Sequence, residues 1–284
     1  MDFQLLLLYS AAVFAAGLLG GWLPRRVEMT HTRTQLTMSF VAGLMLGVAF
    51  FHLIPHSALG RGAEGIDFTM LWVVAGLIFM LLLLRLFHFH QHDFGATLEQ
   101  CQHGDADHHD HRDAHDHAHP PTGSATWVGL LFGLSIHTVV DGIALGAVMG
   151  AEPSSGAGIL GLGVFLAILL HKPLDSLSIE TVMAVAAAPL AQRRLVNVGF
   201  SLLAPLAALL FWSAIDPLDP NNVLLPAALA FSAGAFICIA LGDLLPEIQF
   251  HSHDRVKLTW VFLVGIAMAW AIGMVESGHG SGLH

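Results

Sequence analysis

Eight apolar stretches, each about twenty residues long, recur along this 284-residue chain, and that is the length that crosses the hydrocarbon core of a bilayer. They cover roughly 3–23, 36–59, 68–88, 125–149, 157–189, 195–213, 223–246 and 257–275. Inside lipid each backbone N–H and C=O must find its partner within the segment, so stretches of this length fold as helices. A helix bundle in water would need polar faces that these stretches lack. Charged residues make up only 11% of the chain and mean hydropathy is +0.69, against about 25% charged in soluble domains. The predicted fold is an all-α membrane protein with eight transmembrane helices. Residues 1–284 form one polytopic membrane domain, with no room for a soluble catalytic domain. The fifth stretch is longer than a perpendicular crossing requires, which predicts tilt or extension past the membrane.

Orientation follows from the cations, which concentrate on the cytoplasmic side of membrane proteins. Arg25, Arg26, Arg33, Arg85, Arg112, Arg193, Arg194, Arg255 and Lys257 fall on one side of the predicted spans, and Arg61 alone on the other. The eleventh cation, Lys172, lies within a span. This asymmetry predicts an integral protein of the cell (inner or plasma) membrane with both termini outside the cytoplasm. The chain starts Met1-Asp2, and Arg25 and Arg26 follow the first apolar run; that order predicts a retained span rather than a signal peptide. The net charge of −10 owes much to aspartates of one loop, and no basic patch suggests a nucleic-acid partner. Cys101 and Cys238 supply neither a disulfide framework nor a CxxC metal motif.

The connection between the third and fourth spans, 89–124, is a predicted disordered cytoplasmic loop. With His88 it holds ten of the nineteen histidines, alternating with aspartate and without apolar periodicity. His103, His108, His109, His111, His115, His117 and His119 make it a candidate multi-site metal-binding tract, imidazole being the commonest protein metal ligand. The alternative is a solvated tether.

The chemistry lies inside the membrane. "HTVVDGIALG" (His137–Gly146) and "HKPLDS" (His171–Ser176) each place a histidine and an aspartate four residues apart within an apolar run, hence on one face of a helix. An ionisable group at bilayer depth costs at least about 2.5–3.5 kcal/mol, so it pairs or lines a polar path. If the fourth and fifth helices are neighbours, His137, Asp141, His171 and Asp175 converge at one depth. Two carboxylates in a low dielectric repel; a divalent cation removes the conflict, and two nitrogens with two oxygens suit tetrahedral Zn²⁺. Fe²⁺, Mn²⁺, Co²⁺ and Ni²⁺ are also compatible, and the lack of thiolate argues against a Cu(I) site. The bland alternative is four buried polar groups that bond one another.

These motifs resemble those of the ZIP metal transporters. "HTVVDGIALG" resembles the fourth-helix signature of that family and "HKPLDS" a degraded form of its fifth. "FHLIPHSALG" (Phe51–Gly60) resembles the second helix, and "ALGDLLPEIQFHSHDR" (Ala240–Arg255) the seventh helix and the loop after it. The resemblance covers essentially the whole chain. It implies inverted three-helix repeats around a central helix pair, movement of a divalent metal (Zn²⁺ first, with Fe²⁺, Mn²⁺ or Cd²⁺ as alternatives) into the cytoplasm, and a homodimer. The metal is the substrate; no prosthetic group and no enzymatic activity are implied. Carried over by position, His137, Asp141, His171 and Asp175 are the transport-site ligands.

The family's second metal position falls here on Thr138 and Lys172. Protonated lysine is a poor ligand and places a positive charge at that point, so one metal per site is expected. Three roles are open for Lys172: holding the carboxylates together when the metal is absent, coupling transport to pH by losing its proton, or turning away toward a water-filled path. His52 and His56, with Pro55 between them, are candidate entrance or accessory ligands, or else core histidines. Glu180, Asp243, Glu247, His251 and His253 are candidate release-path residues, or else interface charges.

Three competing readings remain at this point. Cation-diffusion exporters also build their site from paired HxxxD motifs, but with six spans followed by a cytoplasmic domain, where this chain stops soon after its eighth span. An intramembrane zinc hydrolase would need an open coordination position for water. A metal sensor would need no flux. The expected mechanism is alternating access at the His/Asp site.

Overall fold

The computed structural model describes residues 2–22, 31–59, 62–87, 124–151, 161–218, 223–250 and 255–278, and these residues form helices with no strand among them. In chain order they are α1 (Asp2–Trp22), α2 (His31–Val48), α3 (Ile54–Ala58), α4 (Gly62–Phe87), α5 (Ser124–Gly150), α6 (Leu162–Val185), α7 (Leu190–Leu218), α8 (Leu224–Phe250) and α9 (Arg255–Gly278). A π-helical turn, Ala49–Leu53, joins α2 to α3, so the two make one span. Eight helices are thus long and apolar enough to cross a membrane, as the sequence predicts.

Local chemistry sets two of the helix ends. Pro55 has no N–H and its ring crowds the carbonyl four residues back; the wider π turn immediately before it relieves that crowding. The fifth span is shorter than its apolar run. α6 stops at Val185 because Ala187 turns left-handed (φ 53°). The amides of Ala187 and Ala188 then bond back to the Ala184 and Met183 carbonyls, each at 3.0 Å, the pattern of a Schellman ending. Pro189 follows it. The length of the apolar run beyond Val185 therefore comes from a turn, not from a longer helix.

The helices sort into two bodies. α1, α5, α6 and α7 pack mainly among themselves, as do α2–α3, α4, α8 and α9. The partners follow one rule: exchanging the first span with the sixth, the second with the seventh, the third with the eighth and the fourth with the fifth turns each principal contact into another. The pairs α2/α9 and α8/α4 correspond in this way, as do α1/α6 and α7/α5. The expected inverted three-helix repeats, with α5 and α6 as the central pair, have this packing.

Glycines repeat the correspondence. A Cβ on Gly43 would collide with the Phe262 carbonyl, and one on Gly265 with the Phe40 carbonyl; in the related pair, Gly76 meets the Phe231 carbonyl and Gly234 the Val73 carbonyl. Such small residues let helix backbones approach closely where lipid removes the hydrophobic incentive to associate. Large side chains lie on the opposite faces: Leu71, Leu82, Trp260 and Trp270 are all exposed.

Candidate metal site

α5 and α6 bring the four expected ligands to one point. The ligand atoms of His137, Asp141, His171 and Asp175 all lie within 4.8 Å of one another, and all four residues are buried. Asp141 Oδ2 stands 3.4 Å from His137 Nε2 and 3.1 Å from His171 Nε2. Asp175 Oδ2 stands 3.8 Å from His137 Nε2 and 3.9 Å from His171 Nε2. The i, i+4 spacing on each helix turns both side chains to one side, and α5 and α6 are neighbours.

Hydrogen bonding orients the groups for a cation. His171 Nδ1–H donates to the Ala167 carbonyl at 2.8 Å, which in the neutral ring leaves the Nε2 lone pair toward the cluster. Nε2 then faces a carboxylate oxygen, and two acceptors at 3.1 Å need a cation or a second ring proton between them. Asp141 Oδ1, Asp175 Oδ2 and His137 Nδ1 are buried without a hydrogen-bond partner. Full mutual pairing, the bland alternative raised by the sequence, would not leave such atoms over.

Lys172 and Thr138 meet beside this cage. Lys172 is 0% exposed; its Nζ donates to Thr138 Oγ1 at 2.5 Å, lies 4.0 Å from Asp175 Oδ2 and sits 4.0 Å above the Phe200 ring of α7. The lysine thus faces the carboxylates and does not turn elsewhere. Phe200 carries no signal in the sequence, because an aromatic beneath an ammonium depends on the register of α6 against α7.

A cavity reaches His137, His171 and Asp175 between the two bodies. α2 lines it with Met38, Val41, Ala42 and Met45, α8 with Ile239 and Ala240, and α6 adds Leu174. These residues lie on the half of the bundle where α2 begins and α6 ends. Toward the other face, buried Val48, Leu53, Leu145 and Val164 belong to the main apolar core.

The remaining candidates fall elsewhere. His52 is 2% exposed, with Nε2 2.9 Å from the Ala269 carbonyl of α9. Its ring would lie 3.0 Å from a Cβ on Gly163, at the start of α6. His56 is partly exposed, and its Nδ1 lies 2.6 Å from the His52 carbonyl. Glu180 is buried and accepts from Arg193 Nη2 of α7 at 2.6 Å; it does not line the cavity. The sequence marks Arg193 only as a topological cation; its pairing with Glu180 depends on the register of α6 against α7. Asp243 and Glu247 lie on α8, but their side chains are outside the described residues. So are His251, His253 and the loop histidines His103, His108, His109, His111, His115, His117 and His119.

Fold and site together define an integral membrane protein, an eight-span helical bundle with a buried His/Asp cluster at its centre. A family model described as "ZIP Zinc transporter" matches residues 3–273, and the chain belongs to that family. Members of the family are metal transporters, not enzymes. The chain is 25% identical to a zinc transporter ZIP9 of Micropogonias undulatus over 335 residues, covering 98% of this chain and 99% of the relative. It is likewise 25% identical to zinc transporter ZIP9-B of Xenopus laevis, over 89% of each protein. A zinc transporter ZIP9 of Macaca fascicularis is 32% identical over 128 residues, covering 43% of this chain and 52% of the relative.

Proposed function

We propose that this protein carries a divalent cation, Zn²⁺ first, into the cytoplasm, one ion at a time through the cage of His137, Asp141, His171 and Asp175. The observation that carries this reading is the cage itself: two imidazoles and two carboxylates, buried, within 4.8 Å of one another and reached by a cavity from one side. Two negative charges and two neutral nitrogens offset a dication and complete a tetrahedral shell. The relatives named as zinc transporters support zinc as the first choice. Fe²⁺, Mn²⁺ and Cd²⁺ are the competing cargoes.

The single-ion reading rests on Lys172. Its ammonium occupies the position where a second ion would need a ligand, and its hydrogen bond to Thr138 holds it there. In the empty site that charge offsets Asp175. Alternating access follows from the arrangement of the bodies. All four ligands belong to α5 and α6, and the cavity wall opposite them belongs to α2 and α8. A shift of one body against the other exposes the cage to each side in turn.

The distribution of cations supports a cytoplasmic position for the cavity side. A release path on that side would draw on Asp243, Glu247, His251 and His253, the acidic and histidine residues that follow the cavity-lining Ile239 and Ala240 in the sequence. Glu180, held by Arg193, braces α6 on α7. At the outer end His56 is the entrance ligand, and His52 fixes the second span to α9.

The test is metal uptake into sealed vesicles across Zn²⁺, Fe²⁺, Mn²⁺ and Cd²⁺, comparing the native chain with His171→Ala. Uptake by the native chain that His171→Ala abolishes is expected. Equal uptake by both rejects the pathway.

A further inference from the structure

Lys172 and Asp175 stand about one turn apart on α6, yet the lysine Nζ stops 4.0 Å from Asp175 Oδ2. That gap is longer than a hydrogen bond. Asp175 Oδ2 is itself buried without a hydrogen-bond partner. The flexible four-carbon stem of lysine allows the gap to close, and the weak screening between buried opposite charges favours it. The ammonium is therefore held back, and two contacts hold it. One is the hydrogen bond to Thr138 Oγ1 of α5. The other is the face of Phe200 of α7, whose ring centre lies 4.0 Å from Nζ. The ring is fixed in its turn: Phe200 is buried and packs with Leu134 of α5 and with Ile179 and Met183 of α6.

An ammonium over an aromatic face is attracted by the ring quadrupole, most strongly where water is excluded. We propose that Phe200 is a positioning residue that keeps the Lys172 ammonium out of the metal cage. With the ring in place, the positive charge stays at Thr138 and Asp175 Oδ2 stays available to an incoming ion. Without it, Lys172 swings onto Asp175 and competes with the dication as a tethered cation. None of the four cage ligands belongs to α7, so this helix sets the affinity of the site through Phe200 alone. The proposal rests on the reading of the cage as a metal site, and it adds a residue that decides how freely the metal enters.

Isothermal titration of the purified full-length protein with Zn²⁺ tests this without recourse to transport. Phe200→Leu removes the aromatic face and keeps an apolar side chain. It should weaken zinc binding by about tenfold, the shift that one desolvated ring contact supplies. Phe200→Tyr keeps the face and should bind zinc as the native chain does. The deciding comparison repeats Phe200→Leu in a Lys172→Met background. With no ammonium to restrain, the second substitution should leave Kd where Lys172→Met sets it. If Phe200 only fills space between α5, α6 and α7, Phe200→Leu acts alike in both backgrounds, and that outcome overturns the proposal. Where Phe200→Leu does not fold, Phe200→Met, whose flexible side chain adapts to the gap, carries the same expectations. Native zinc binding that neither variant weakens overturns the role of Phe200 and leaves the cage standing. A native chain that binds no zinc overturns the cage and, with it, this proposal.

Discussion

Replacing Lys172 by methionine should tighten metal binding. The ammonium is wholly buried and lies 4.0 Å from Asp175 Oδ2. At an effective dielectric of about 20, unit charges about 4 Å apart interact by roughly 4 kcal/mol. In the empty site this attraction stabilises the carboxylate; when a dication binds, the same ammonium repels it. Lys172→Met removes both effects, and both changes favour the bound state. Relaxation and water entry reduce the figure, so a gain of about 1.5–3 kcal/mol is the expectation, roughly ten- to a hundredfold in Kd. Isothermal titration of the purified protein with Zn²⁺ measures it. Tighter binding should slow release, so turnover in vesicles falls while affinity rises. Elemental analysis should still find one ion per chain in Lys172→Met. Lys172→Glu, which supplies a ligand at that position, should hold two. Unchanged or weaker zinc binding by Lys172→Met would refute the electrostatic reasoning, and a single ion in Lys172→Glu would refute the single-site explanation.

Three further outcomes follow from the packing. Arg193→Met strips the buried Glu180 carboxylate of its arginine; removing one partner of a buried pair costs about 3–5 kcal/mol, and the partial exposure of Arg193, 19%, reduces this to about 2–3. A thermal melt in detergent should show the loss, and Glu180→Gln in the same chain should recover part of it; a melt unchanged by Arg193→Met removes the bracing role. Gly163→Val should drive a side chain into the His52 ring and slow uptake by about tenfold or more, with His52→Ala restoring it in the double variant. If His52→Ala gives no restoration, that contact does not limit the movement of the bodies. Gly43→Val should separate α2 from α9 at an overpacking cost of about 1–3 kcal/mol, read by the same melt, with zinc affinity unaffected; loss of affinity instead would show that the two bodies are not separable in this way.

The eight spans and the four cage residues were legible in the sequence for simple reasons. Apolar length reports a membrane crossing directly, and the i, i+4 pairs His137/Asp141 and His171/Asp175 report a helix face without any tertiary information. The placing of Lys172 with Thr138 came from the resemblance of these motifs to those of the family, which puts both residues at its second metal position. What stayed hidden depends on the register between helices. Glu180 reads equally well as a release ligand or an interface charge until α7 brings Arg193 to it. His52 reads as an entrance ligand until the π turn before Pro55 and the carbonyl of Ala269 are in place. Met38 and Met45 look like ordinary span residues, since nothing local says which face of α2 borders the site. Hydropathy hides the end of α6 because Ala186, Ala187 and Ala188 are as apolar as a helix interior, and only the backbone of Ala187 shows that they form a turn.

The reciprocal glycine contacts of α2 with α9 and of α4 with α8 turn the usual arrangement of a globular protein inside out. Smallness holds the helices together, and bulk faces outward, as Leu71, Leu82, Trp260 and Trp270 do. Instructions for assembly and instructions for solvent are therefore written on opposite sides of these helices. The outer side can be repainted with polar residues for study in water while the seams that join the scaffold are left untouched.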